Sequence, residues 1–251
     1  MNLEKYLLNI KKTVLIFYLG RSGSMFFSGL LDNHEQIISG DFYRDKQILD
    51  LFRQKLGNKK YFEKKYIKTM LHSDLIKIFQ DKNYTEQTTM ASYDNEKFIK
   101  FFIENIEDNF NQLNFDKMIK IFYLSFKLFN KLDISKGNLI CCIQHHVPPD
   151  DEKLNFFRYN IENINFILIS RNIVKSLDSM FYHHCYESKW AYLKKNFYFY
   201  YIEEAFQSLR VFFGYYFNLS NIIKFEDLHS NPKETLNNFC KIYNINFNKN
   251  M

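Results

Sequence analysis

Glycine and proline are scarce in this chain, with seven of one and three of the other among 251 residues. Cysteine is scarce too. Cys141, Cys142, Cys185 and Cys240 contain one adjacent pair and no C-x-x-C spacing, which argues against a disulfide framework or a spaced zinc site and for reduced thiols. His183 and His184 beside Cys185 do not repair this, because neighbours at i, i+1 point to different sides of a helix; no metal is expected. No apolar run reaches the roughly 18 residues of a membrane span, and the run from Thr13 to Leu19 has the length of a buried strand. The first residues carry Glu4, Lys5, Lys11 and Lys12 and no signal-peptide cleavage pattern. A soluble, cytoplasmic protein with no transmembrane segment is expected. No concentrated basic block exists either: the net charge of +6 comes from dispersed lysines. Such a balance suits a small anionic ligand and not nucleic acid. Aromatics, by contrast, are abundant, with 28 Phe and 18 Tyr. Any single ring, such as Tyr182 or Trp190 near an adenine or acceptor pocket, is therefore weak evidence by itself.

What is present is an order of elements. Val14 to Leu19 is apolar, Gly20-Arg21-Ser22-Gly23-Ser24 is a small-residue turn, and Met25 to Leu31 is amphipathic. Strand, loop and helix in that order build a cradle for a phosphate, with backbone N–H groups and the positive end of the helix facing the anion. The loop is not a Walker A motif: Met25 and Phe26 stand where Gly and Lys would be. A kinase-type ATP site loses its support there.

The patterning predicts strand 13–19, helix 24–33, a short strand at 36–39 and a helical insertion over about 43–132, with Thr85 to Asp94 as its loop. Strands at 139–143 and 165–170, helix over about 173–217, strand 221–225 and a final helix at 231–243 follow. Pro232 sits at the first position of that last helix. Apolar strands alternating with helices predict an α/β fold with a central parallel sheet flanked by helices, and one domain over 1–251. Ligands in such sheets bind beyond the carboxyl ends of the strands. Polar residues gather at three of those ends: 20–24, 144–146 and 171–179.

Three motifs carry a resemblance. Arg21-Ser22-Gly23-Ser24-Met25 is followed by Leu30-Leu31-Asp32-Asn33-His34-Glu35; Arg171 is followed eight residues on by Ser179; and Phe225-Glu226-Asp227-Leu228 leads to Pro232. This set resembles the sulfotransferases that use 3′-phosphoadenosine 5′-phosphosulfate (PAPS), over about 13–42 and 137–247. Met25, Glu35 and Ile173 depart from the family pattern, which has a second hydroxyl residue, a proline and a proline there. The resemblance implies a P-loop NTPase-like sulfotransferase fold of the compact bacterial type. It also implies PAPS as co-substrate without a metal, and sulfuryl transfer to an acceptor hydroxyl of a glycan or other small molecule. Arg21, Ser22, Gly23, Ser24 and Met25 would hold the 5′-phosphosulfate, and Arg171 with Ser179 the 3′-phosphate.

For the base, Gln144-His145-His146-Val147-Pro148 falls on the family's Lys-x-His-x-Pro, which makes His146 the matching residue. Gln144 replaces the lysine, and Arg21 could take over its contact with the bridging oxygen. His145 is adjacent, and Asp41 occupies the place where other members carry a carboxylate; both stay open as catalytic candidates. Two other readings also stand: a P-loop-like ATP-dependent kinase, or a catalytically inactive nucleotide-binding or scaffold module on the same fold. The acceptor and the oligomeric state are not legible.

Overall fold

β1 (Ile10–Tyr18) is buried without a break from Thr13 to Tyr18, as a central strand covered on both faces must be. The computed structural model describes residues 3–18, 23–32, 34–40, 45–57, 62–80, 94–109, 112–135, 137–146, 151–182, 202, 203, 206 and 221–247. Around β1 the chain forms α1 (Leu3–Asn9), α2 (Ser24–Asp32) and β2 (Ile37–Ile38). A helical segment follows: α3 (Asp45–Leu56), α4 (Lys64–Gln80), α5 (Asn95–Asn109) and α6 (Phe115–Phe129), with β3 (Phe62–Glu63) and β4 (Gln112–Leu113) as a small antiparallel pair. Then come β5 (Leu139–His146), α7 (Asp151–Asn160), β6 (Ile164–Ser170) and α8 (Ile173–Tyr182). The last elements are β7 (Ile222–Lys224), α9 (Phe225–Ser230) and α10 (Pro232–Tyr243).

β1, β2, β5, β6 and β7 form one parallel sheet in the order β2-β5-β1-β6-β7. Side chains alternate across it. Leu15, Phe17, Cys141, Ile143 and Leu168 join the core under the helical segment, while Val14, Ile16, Cys142, Ile167 and Ile169 join a second core with Phe27 of α2 and Phe239 of α10. The expected α/β architecture is therefore the observed one. Many of the phenylalanines pack within it: the Phe122 ring lies nearly perpendicular to Phe52, Phe98 and Phe102, with centroids 5.7, 5.4 and 5.0 Å away. Edge-to-face pairs of this kind add about 0.5–1.5 kcal/mol each beyond burial.

The connection from α2 to β2 is held by buried polar groups. Lys127 of α6 donates from Nζ to the carbonyls of His34 and Ile37, at 2.5 and 2.6 Å. Burial pushes this ammonium down to about 8, against the pull of Asp32. His34 donates from Nε2 to the Asn246 carbonyl at 2.7 Å and accepts the Gln36 N–H on Nδ1 at 3.1 Å. Gln36 Oε1 accepts the Asn246 N–H at 2.7 Å, so both backbone groups of Asn246 are engaged.

Several boundaries differ from expectation. β1 begins at Ile10 and not Thr13, because Ile10 and Lys12 pair with Leu139 and Ile140; the lysines there mask the strand in the sequence. α1 is an element the patterning above does not include; Leu3 is its one buried residue, and Tyr6 and Leu7 pack part-buried beside it over barely two turns. β5 continues through Gln144-His145-His146, which pair with Ile16, Phe17 and Tyr18; main-chain pairing carries the strand past its apolar run. Phe225 opens a helix and does not close a strand. Of the expected helix over 173–217, 173–182 is observed as α8, and 183–201, 204, 205 and 207–217 lie outside the described residues, as do 81–93.

Candidate functional site

The strand order reverses at β1, the position where open parallel sheets of this kind form a crevice. The register fixes which residues meet there. Tyr18 pairs with His146 on one side and Ile169 on the other, and Ser170 pairs with Lys224. The carboxyl ends of β1, β5, β6 and β7 thus lie in one row. Gly23, His146, Arg171 and Phe225, far apart in sequence, belong to the segments that end or leave that row.

Gly23 precedes α2 with φ +84, a left-handed conformation that glycine tolerates best. A Cβ there would also meet Phe225 Cδ2 at 1.9 Å, so the position has a steric reason to be glycine as well. The Gly23 carbonyl accepts the Phe27 N–H at 3.1 Å and starts the helix. Ser24 is the first helical residue and is buried; the backbone of Met25 follows in the same turn. N–H groups of a first turn have no partner inside the helix and are available to an anion. Arg21, Ser22 and Asp41 lie outside the described residues.

Arg171 leaves β6 half-buried, with its guanidinium carbon 5.0 Å from the Phe225 ring centroid. One ring therefore touches both Gly23 and Arg171. Asn172 caps α8: its Oδ1 accepts the Lys175 N–H at 3.2 Å, while its own N–H donates to Glu226 Oε1 at 2.9 Å. Partial burial raises the Glu226 carboxyl, but the Asn172 N–H, its own N–H and the charges of Arg171 and Lys175 outweigh this and hold it below the usual carboxylate range. Ser176 and Ser179 follow Asn172 at i+4 and i+7, which places the three on one helix face. Ser176 is buried and Ser179 half-buried.

The two histidines of β5 differ. His145 is 1% exposed, with its ring edge-on to Phe17 and Phe157 at 6.1 and 6.3 Å, on the sheet face of Ile143. That apolar setting weighs against its acting on a solvent-borne acceptor. His146 is the last residue of the strand, opposite Tyr18. Sequence reasoning missed Asp45, the first residue of α3, which is 1% exposed and accepts the Gln144 N–H on Oδ2 at 2.8 Å. An acidic residue opening a helix was the available signal. It missed the Phe225 contact as well, for which no local signal exists. Among the described residues, no cluster of His, Cys, Asp or Glu could hold a metal ion, and no helix is long and apolar enough to cross a membrane.

No protein-family model matches the chain, and no curated protein matches it. Solved structures do. The sulfotransferase domain of the Synechococcus PCC 7002 olefin synthase superposes with TM-score 0.54 at 14% identity, over 96% of this chain and 76% of that one. The sulfotransferase domain from the curacin biosynthetic pathway superposes with TM-score 0.51 at 16% identity, over 94% and 75%. The fold built around the β1 crevice is the fold of these sulfotransferase domains.

Proposed function

We propose that this chain, acting as one domain, transfers a sulfuryl group from PAPS to a hydroxyl of a glycan or other small molecule. The observation that carries the reading is the shared contact of Gly23 and Arg171 with Phe225. It brings the residue before α2 and a guanidinium together at the carboxyl end of the sheet. The fold of the two similar structures supports the same reading.

In this reading Arg21, Ser22, Gly23, Ser24 and Met25 hold the 5′-phosphosulfate, the last two in the first turn of α2. Arg171 and Ser179 hold the 3′-phosphate, where a guanidinium offers a bidentate fork. The acceptor oxygen attacks sulfur in line. As that S–O bond forms, the bond from sulfur to the 5′-phosphate oxygen breaks, and adenosine 3′,5′-bisphosphate leaves. The acceptor proton passes to His146, with Asp41 as the alternative base. Catalysis is then mainly alignment plus stabilisation of charge on the leaving oxygens. No metal takes part.

Transfer of radiolabelled sulfate from PAPS into cell extracts, with identification of the labelled product, tests the reading directly. Label in a hydroxyl-bearing acceptor is expected. Stabilisation by ATP with Mg²⁺, and none by PAPS or the bisphosphate, would move the assignment to a kinase. Binding of the bisphosphate without transfer to any acceptor would leave an inactive nucleotide-binding module.

A further inference from the structure

We propose that Phe225 is a positioning residue that sets the spacing between the Gly23 turn and the Arg171 guanidinium, so that the two phosphate groups of the donor are bound as a unit. This rests on the sulfotransferase reading above. The ring belongs to neither of the two cores and is half-buried at the sheet edge, so core packing is not what occupies it. A Cβ on Gly23 would lie 1.9 Å from Cδ2 and 2.3 Å from Cε2, which means the Gly23 backbone rests directly on the ring. Arg171 Cζ is 5.0 Å from its centroid, within cation–π range. The His229 ring lies beside it, with centroids 6.0 Å apart.

Phe225 is itself held from both sides along the chain. Lys224, before it, pairs with Ser170, the residue before Arg171. Glu226, after it, accepts the N–H of Asn172, the residue after Arg171. The ring is therefore fixed to the β6–α8 junction that carries Arg171, and from there it reaches across to the β1–α2 junction. A guanidinium resting on an aromatic face gives up rotamer freedom before the ligand arrives, while its N–H donors stay at its rim. Affinity for a ligand with two phosphates then depends on the ring more than affinity for a ligand with one.

The test is calorimetric titration of the full chain with adenosine 3′,5′-bisphosphate and with AMP, for wild type, Phe225→Met, Phe225→Tyr, Arg171→Lys and Arg171→Ala/Phe225→Met. Methionine keeps apolar bulk without an aromatic face. Its substitution is expected to weaken bisphosphate binding by about threefold to thirtyfold and AMP binding by less, with tyrosine restoring the wild-type value to within about twofold. Against an Arg171→Ala background the methionine change is expected to add little. Arg171→Lys keeps the charge and loses the planar face, so it is expected to weaken the bisphosphate even if the methionine variant folds poorly. Unchanged bisphosphate affinity in Phe225→Met would overturn this proposal alone, whatever Arg171→Lys does. So would equal losses for both ligands that add to those of Arg171→Ala. A wild-type protein that does not bind the bisphosphate would overturn the sulfotransferase reading and this proposal together.

Discussion

Asp45 reaches across 99 residues of sequence to accept the Gln144 N–H on Oδ2 at 2.8 Å. The bond sets the first turn of α3 against the last turn-ward residues of β5, two positions before His146. Asp45→Ala is expected to leave a buried N–H unpaired and to lower stability by about 1–3 kcal/mol in denaturant titration. Asp45→Asn retains an acceptor oxygen and is expected to recover most of that loss. If the alanine variant unfolds at the wild-type midpoint, the bond contributes little to holding this strand end.

Arg171→Ala is expected to weaken adenosine 3′,5′-bisphosphate by about tenfold to a hundredfold, the range for a charge-assisted hydrogen-bonded pair. AMP, which lacks the 3′-phosphate, is expected to change far less. Equal losses for both ligands in calorimetry would remove the 3′-phosphate from this residue.

His146→Ala is expected to lower turnover by about 10²–10⁴-fold while leaving bisphosphate affinity nearly intact, as removal of a general base should. His145→Gln, inside the apolar core, is expected to act on thermal stability first. Full activity in His146→Ala would pass the role to Asp41, and Asp41→Asn then becomes the deciding variant.

His34 supplies a pH dependence whose sign follows from its bonds. Nδ1 accepts from Gln36 while Nε2 donates to Asn246, so the neutral ring is the one that fits. Burial lowers its pKa below 6.5, as does the Lys127 charge, against the opposing Asn246 carbonyl and Glu35. The unfolded chain thus takes up a proton at a pH where the folded chain does not. Stability from this group is complete above about pH 6.5 and is lost as pH falls through the lowered folded value. Denaturant midpoints measured from pH 7.5 down to pH 5 should fall in wild type and fall less steeply in His34→Gln. An identical slope in both would show that other groups set the acid limb.

Those parts of the molecule that depend on neighbours in sequence were legible. The apolar runs of β1 and β6 and Pro232 at the start of α10 declare themselves within ten residues. Gly23 could be read as a turn, and Arg171 with Ser179 as a pair on a strand–helix junction. What could not be read depends on partners far away. β5 extends over Gln144-His145-His146 because β1 is there to pair with it, and polar side chains give no hint of that. Asp45 is in sequence one acidic residue among many, and its partner Gln144 lies 99 residues away. Phe225 belongs to a legible motif, but nothing in that motif shows that its ring meets Gly23 and Arg171.

Asn246 is tied at both backbone groups to His34 and Gln36, 212 and 210 residues earlier. The segment that ends α2 is thus synthesised 212 and 210 residues before the one that secures it. β1 likewise emerges long before β5 and β6, the two strands that flank it. A topology with so many distant pairings folds slowly and exposes its central strand while it waits. On a stalled nascent chain cut short before β5, residues 13–18 should be a docking point for chaperones.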